Sequence, residues 1–374
     1  MRILFAAVAA YGRVIPLLPL ADAARAAGHE VLFATGESMF PALRRAGFDA
    51  VKVGMPVVRA FERAQAVADT SQRSLDEQMP EIGTTVFGDL VPRAMFATVK
   101  PVIERFRADL VVAEIGNPGA WFAAEYLGVP AMGTTWGPVV STPHTSEAAA
   151  RTAKVAADLG VSGVVPYLDI CPESLQSPSF RSGAERIPLR PVPWSFPDDE
   201  LPAMVSACER PIVYVTVSSV LDTATSAMLR AVATGLARLP VEVLMTTGAA
   251  PGDLGELPPN VHVLAWAPQS LLIPHTSLVV HHGGPGAMLN TLSSGLPQLV
   301  LPDPQGVEPG TSDAVLAAGV GRVLPQDEVT ADAVHDLAAG LLADDAVRAA
   351  AAVLADEIAA MPAPAQVLEL LEKR

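Results

Sequence analysis

Short apolar runs and longer mixed stretches alternate along the chain. RILFAAV at 2–8 is apolar throughout after its first residue. In PLLPLADAARAAG, which follows shortly after, apolar residues recur every three or four positions up to Gly28, the pattern of an amphipathic helix with a glycine stop. HEVLFAT is a second apolar run, and a second helix is predicted to end near Gly47. After a long segment of ambiguous pattern come ADLVVAE at 108–114, the helical WFAAEYLG, and VPAMGTTW. Short apolar strands separated by helices predict a parallel sheet covered on both faces.

Residues 160–210 break this rhythm. They are rich in Pro and Ser and include ICPESLQSPSF and IPLRPVPWSFPDDELP. Such a segment predicts a connector without regular helix or central strand. The boundary between an N-terminal domain, 1–195, and a C-terminal domain, 196–355, is placed within it. A second α/β series then runs through PIVYVTVSS, VEVLMTTG, NVHVLAW, SLVVHHG, QLVLPD and GRVLP. The Ala-rich end reads as two or three helices, and no repeat with a 20–50-residue period stands out. Two open α/β sheets in tandem predict ligand binding beyond the carboxyl ends of their strands, by default in a cleft between the domains.

Composition narrows the ligand. The 374 residues are 50% hydrophobic and 17% charged, with a formal net charge of -15. That makes a globular chain and argues against binding a nucleic-acid backbone. It leaves room for a small phosphorylated ligand, because amides at a helix N-terminus bind phosphate without any lysine. The two cysteines, Cys171 and Cys208, lack metal-type spacing and fit a reducing cytosol, so a cytoplasmic protein is expected. The first residues could pass for a signal peptide, but the strand–helix–strand register that follows favours a strand. No apolar run reaches the ~20 residues that span a bilayer.

The strongest local signal is SLVVHHGGPGAMLNTLSSGLPQLVLP. Its strand ends at His281 and His282. Gly283, Gly284, Pro285 and Gly286 form a turn, and a helix is expected from about Ala287, with the amides of Ala287 and Met288 facing an anion. Taken alone this is weak, since any tight strand–turn–helix connection uses glycines, and it has neither GxGxxG spacing nor a P-loop GK[ST]. Two further stretches add context. NVHVLAWAPQSLL puts Trp266 and an Ala-Pro-Gln step at one strand end, and VYVTVSS puts Ser218 and Ser219 at another.

The combination resembles the bacterial natural-product glycosyltransferases of the GT-B fold, in particular the branch that uses dTDP-deoxysugars. The resemblance covers nearly the whole chain. YGRVIPLLPLADAARAAGHEV is similar to that branch's first strand–helix–strand, YLDICPESLQ to its inter-domain signature, and EIAAMPAPAQVLELLE to its closing helix. It implies two Rossmann-like parallel-sheet domains facing a central cleft, with residues 356–374 returning to the N-terminal domain. It also implies that His282 bonds a diphosphate oxygen, that amides around Gly283, Gly284, Gly286 and Ala287 hold others, and that Ser218 and Ser219 face the same group. Trp266, Gly248 and Ala267 would line the base pocket. Tyr11, Asp69, Trp136 and His144 would line the acceptor side. The dTDP-sugar would be a substrate, with no cofactor and no metal; the acidic pairs Asp198–Asp199 and Asp344–Asp345 read as loop and helix-start residues. The partners implied are a nucleotide sugar and a small hydrophobic acceptor, and a homodimer is compatible with the reading.

The chain departs from the family's pattern at four places. Arg13 stands where a histidine base is usual, and Glu114 where an Asp usually supports it. Ala287 replaces a frequent Thr. Gly306 and Val307 replace an Asp-Gln pair that grips sugar hydroxyls, leaving Asp303, Gln305 and Glu308 as nearby substitutes. A neutral histidine with a pKa near ~6.5 accepts a proton at pH 7, whereas an arginine with a pKa above ~12 does not. Four readings of Arg13 stay open: it binds a polar or acidic acceptor group while Glu114, or less specifically Asp69, Glu81 or His144, takes the proton; the acceptor is acidic enough to need no base; catalysis is lost and the chain is an auxiliary binding protein; or Arg13 and Glu114 form a structural salt bridge at a domain cleft.

Overall fold

The computed structural model describes residues 1–68, 74–216, 226–248, 254–302 and 310–373. The chain divides into two compact units. The first comprises Met1–Ile170, Gln176–Leu189 and Pro362–Arg374, and the second Cys171–Leu175 and Arg190–Met361.

Among the described residues the first unit holds a parallel sheet of seven strands: β1 (Arg2–Ala6), β2 (Glu30–Thr35), β3 (Asp49–Lys52), β4 (Leu110–Glu114), β5 (Ala131–Thr134), β6 (Tyr167–Asp169) and β7 (Arg186–Pro188). Their order is β3-β2-β1-β4-β5-β6-β7. Every residue of LVVAE in β4 is buried, as a strand covered by helices on both faces requires. The chain builds outward from β1 to one side and then resumes on the other at β4, so β1 and β4 flank the point where connections diverge.

The Pro-rich segment departs from the expected connector without regular helix or central strand, and it holds the short helix Pro178–Gly183. It supplies β6 and β7, and β6 is paired on both sides, to β5 and to β7. A buried ionic network makes this possible. Asp169, 1% exposed at the end of β6, accepts hydrogen bonds from Thr135 Oγ1 at 2.7 Å, Gln176 Nε2 at 3.1 Å and Arg186 Nη1 at 2.8 Å. Gln176 Oε1 in turn accepts the Val139 amide at 2.7 Å. These bonds replace the long apolar ladder that a three-residue strand lacks.

The final helix, Pro364–Leu371, packs on the helix Leu18–Ala26 and buries Val367, Leu368 and Leu371. Just beyond it, Glu372 Oε1 pairs with His29 Nε2 at 2.7 Å.

The second unit holds, among the described residues, a parallel sheet of six strands: β8 (Ile212–Thr216), β9 (Glu242–Thr246), β10 (Val261–Leu264), β11 (Thr276–His281), β12 (Gln298–Val300) and β13 (Gly321–Val323), in the order β10-β9-β8-β11-β12-β13. Here the divergence falls between β8 and β11. The segment Cys171–Leu175 is tied into this unit by Ser174, whose N–H and Oγ–H donate to the Glu357 carboxylate at 3.0 and 2.5 Å. Among the described residues no helix is long and apolar enough to cross a membrane.

Candidate active site

In the second unit the described candidate donor residues lie at the carboxyl ends of β9, β10 and β11. His281, the last residue of β11, is 1% exposed. Its Nδ1 accepts the Gly283 amide at 3.1 Å, so Nε2 carries the proton and donates to Gln298 Oε1 at 2.7 Å. Burial pushes the imidazole down to about 4, so it is neutral at pH 7 and braces the turn. His282 is half-buried, with its ring against Gly284; a Cβ at position 284 would lie 2.7 Å from His282 Nε2. Gly283 has a φ of +98°, a conformation that disfavours any side chain.

The helix here runs Pro285–Ser293, two residues earlier than expected, because Pro285 suits the first helical position. Gly284 is its N-cap and contributes no side-chain cap. The Met288 amide donates to Gly284 O at 3.1 Å, which corrects the expectation that it faces a ligand. The amides of Gly286 and Ala287 precede that first intrahelical bond and lie in the turn whose N–H groups a helix leaves for other acceptors. Gly286 is exposed, and a Cβ there would meet open space.

Across β8 from this turn in the strand order, the ends of β9 and β10 are joined through Thr247 N–H to Leu264 O at 3.2 Å and Gly248 N–H to Ala265 O at 3.1 Å. Gly248 therefore adjoins Trp266. The indole of Trp266 is 51% exposed while Ala267 is buried, and its ring centroid lies 6.5 Å from that of Phe196. A large aromatic left this open offers a face for a flat ligand.

A polar network centres on Gln269. Gln269 Oε1 accepts Asn290 Nδ2 at 3.1 Å, and Gln269 Nε2 reaches Thr216 Oγ1 at 3.4 Å and Tyr214 OH at 3.5 Å. Tyr214 OH pairs with Thr246 Oγ1 at 2.8 Å, and burial raises its pKa. Gln269 thus links the helix Pro285–Ser293 to the ends of β8 and β9. Only the Ala-Pro-Gln step hints at it in the sequence. Replacing it with Ala leaves several polar groups short of partners and is expected to lower stability by about 1–3 kcal/mol, read from the chemical-denaturation midpoint. An unchanged midpoint would contradict this role.

In the first unit, Arg13 follows β1 in the short helix Tyr11–Val14. Its Cζ stands 3.4 Å above the ring centroid of the half-buried Trp136, which follows β5. Glu114, closing β4, is 2% exposed. Its Oε1 accepts the Val8 amide at 3.2 Å and its Oε2 the Gly116 amide at 2.7 Å, which ties the ends of β1 and β4 together. Tyr11 is exposed beside Arg13, and His144 and Glu81 are exposed on helices Pro143–Leu159 and Leu75–Thr85. Ser218, Ser219, Asp69, Asp303, Gln305, Gly306, Val307 and Glu308 lie outside the described residues.

Among the described residues no group of three or more His, Cys, Asp and Glu side chains is arranged to hold a metal ion. Asp344 caps the helix Asp345–Ala360 by accepting the Ala346 and Val347 amides at 3.0 and 3.2 Å, and Asp199 Oδ2 accepts the Phe196 amide at 2.9 Å.

Comparison with known proteins places this arrangement in a family. Residues 22–198 match the family described as Erythromycin biosynthesis protein CIII-like, N-terminal domain, and residues 230–373 match its C-terminal domain. The chain is 31% identical over 383 residues to an L-demethylnoviosyl transferase of Streptomyces niveus, covering 99% of this chain and 97% of that protein. It is 32% identical over 403 residues to the elloramycin glycosyltransferase ElmGT of Streptomyces olivaceus, covering 98% and 96%. A spinosyn rhamnosyltransferase complexed with thymidine diphosphate superposes over 100% of both chains with a TM-score of 0.81 at 25% identity. With two parallel α/β units and family matches in both halves, the chain belongs to the EryCIII-like bacterial natural-product glycosyltransferases of the GT-B fold.

Proposed function

We propose that the protein moves a deoxysugar from a dTDP-sugar to a bulky apolar natural-product aglycone, by direct displacement that inverts the anomeric carbon and needs no metal. The observation that carries this reading is the glycine turn at the head of the helix Pro285–Ser293, with His282 against Gly284 and the Gly286 and Ala287 amides in the first helical turn. Negative charge grows on the diphosphate as the bond from the anomeric carbon to the β-phosphate oxygen breaks. Oriented amides and the imidazole N–H meet that charge without reorganising. The exposed Trp266 supplies an aromatic face for the base beside Gly248. Gly306 and Val307, at the place of a sugar-gripping Asp-Gln pair, suit a sugar short of hydroxyls, with Asp303 and Gln305 near it in sequence.

In this reading 196–355 is the donor domain. The acceptor belongs to 1–195 together with 356–374, where Tyr11, Asp69, Trp136 and His144 line its site. The acidic, cysteine-poor composition fits a cytoplasmic enzyme.

Thermal and chemical denaturation with added nucleotides test the donor assignment. At a hundredfold excess over its Kd, dTDP is expected to stabilise the second unit by about 2.7 kcal/mol, and NAD and ATP to leave it unchanged. Absence of any response to dTDP or UDP would remove the donor site. Binding of dTDP without transfer to any acceptor would instead mark a silent relative.

A further inference from the structure

The acceptor end of the site carries a cation held in one place, and this bears on what the enzyme glycosylates. Resting on the glycosyltransferase reading above, we propose that Arg13 is an anion-recognising specificity residue, and that the acceptor nucleophile is an acidic hydroxyl, a phenol or an enol, which reacts as its oxyanion.

The guanidinium is fixed from below. Its Cζ lies 3.4 Å over the Trp136 ring, a cation–π contact that holds the guanidinium in place. Trp136 can sit there because position 116 has no side chain: a Cβ on Gly116 would be 2.8 Å from Cη2 and 2.9 Å from Cζ3 of the indole. The same glycine's amide is held by Glu114 Oε2 at 2.7 Å, and the other oxygen of that buried carboxylate holds the Val8 amide at 3.2 Å. Arg13, Trp136, Gly116 and Glu114 thus form one construction across the ends of the adjacent strands β1, β4 and β5. It stands at the strand divergence, where open α/β sheets bind ligands. Glu114 is nearly inaccessible.

A guanidinium takes no proton at pH 7, so it cannot activate a neutral alcohol as a histidine would. It does stabilise a neighbouring oxyanion. An opposite charge within hydrogen-bond range lowers an acid's pKa by about 1–3, which brings a phenol from about 10 toward neutrality. An aliphatic alcohol is far too weak an acid for this shift to matter. In the reaction the acceptor hydroxyl first loses its proton to solvent. Its oxygen then forms the bond to the anomeric carbon, and the carbon–oxygen bond to the β-phosphate breaks with its electron pair leaving on dTDP.

Umbelliferone, a coumarin phenol whose neutral and ionised forms absorb at different wavelengths, and its methyl ether serve as probes. With the wild type, bound umbelliferone is expected to ionise about 1–3 pH units below its value in water. Above that ionisation it should bind at least about tenfold more tightly than the methyl ether. Arg13→Gln should abolish the shift, and Arg13→Lys should restore part of it. A shift that survives Arg13→Gln, a wild type that shows none, equal binding of phenol and ether, or no binding of umbelliferone overturns the proposal. Should Arg13→Gln fail to fold, the phenol–ether comparison on the wild type decides. The dTDP stabilisation of the wild type is measured alongside. If it persists while the phenol results fail, only this inference falls; if it is absent, the donor reading falls with it.

Discussion

A His282→Ala variant is expected to transfer sugar about 10²–10³-fold more slowly, the loss typical of removing one donor from a preorganised anion site. The effect should appear in kcat more than in KM, because the leaving diphosphate carries more charge in the transition state than in the bound donor. Gly284→Ala provides an independent route to the same result. The added methyl would sit 2.7 Å from Nε2 and 3.0 Å from Cε1 of the ring, so the imidazole must turn away while every hydrogen-bonding group is kept. Both variants should melt within a few degrees of the wild type. Initial rates with a dTDP-sugar decide the matter: a His282→Ala enzyme retaining a third or more of wild-type kcat would remove this histidine from the reaction.

The largest stability effect is expected at Asp169. Its carboxylate is 1% exposed and Arg186 is 13% exposed, so Asp169→Ala leaves a nearly buried guanidinium without its carboxylate. It also strips partners from Thr135 and Gln176. Breaking a buried ion pair from one side costs about 3–5 kcal/mol, and a denaturant titration followed by fluorescence should show a loss of that size. The double variant Asp169→Ala, Arg186→Ala should recover part of it, since the uncompensated charge is then gone. A single-variant loss below about 1 kcal/mol would contradict this account.

Much of the fold is legible in the sequence because strands buried on both faces are apolar along all but one end residue, as RILFA, LVVAE and IVYVT are. β6 and β7 are not legible. They are three residues each, set among prolines, and owe their place to Asp169 and its partners. At the site, HHGGPG can be read because glycine and proline act on their immediate neighbours. Gln269 cannot, because its partners Tyr214 and Asn290 lie 55 and 21 residues away. The pairing of Arg13 with Trp136 is invisible for the same reason: each residue is a plausible surface side chain until the strand order brings β1 and β5 to either side of β4.

The division of the chain bears on how such enzymes can be recombined. It passes from the first unit to the second after Ile170, back after Leu175, forward again after Leu189 and back once more after Met361. A chimera joined at a single midpoint would inherit the body of its first unit from one parent and that unit's last helix from the other. The helix Pro364–Leu371 buries Val367, Leu368 and Leu371 and packs on Leu18–Ala26, so a mismatched pair would lose apolar contacts on both surfaces. Exchange of the first unit between relatives therefore calls for at least two splice points, with the body of that unit and the tail taken from the same parent.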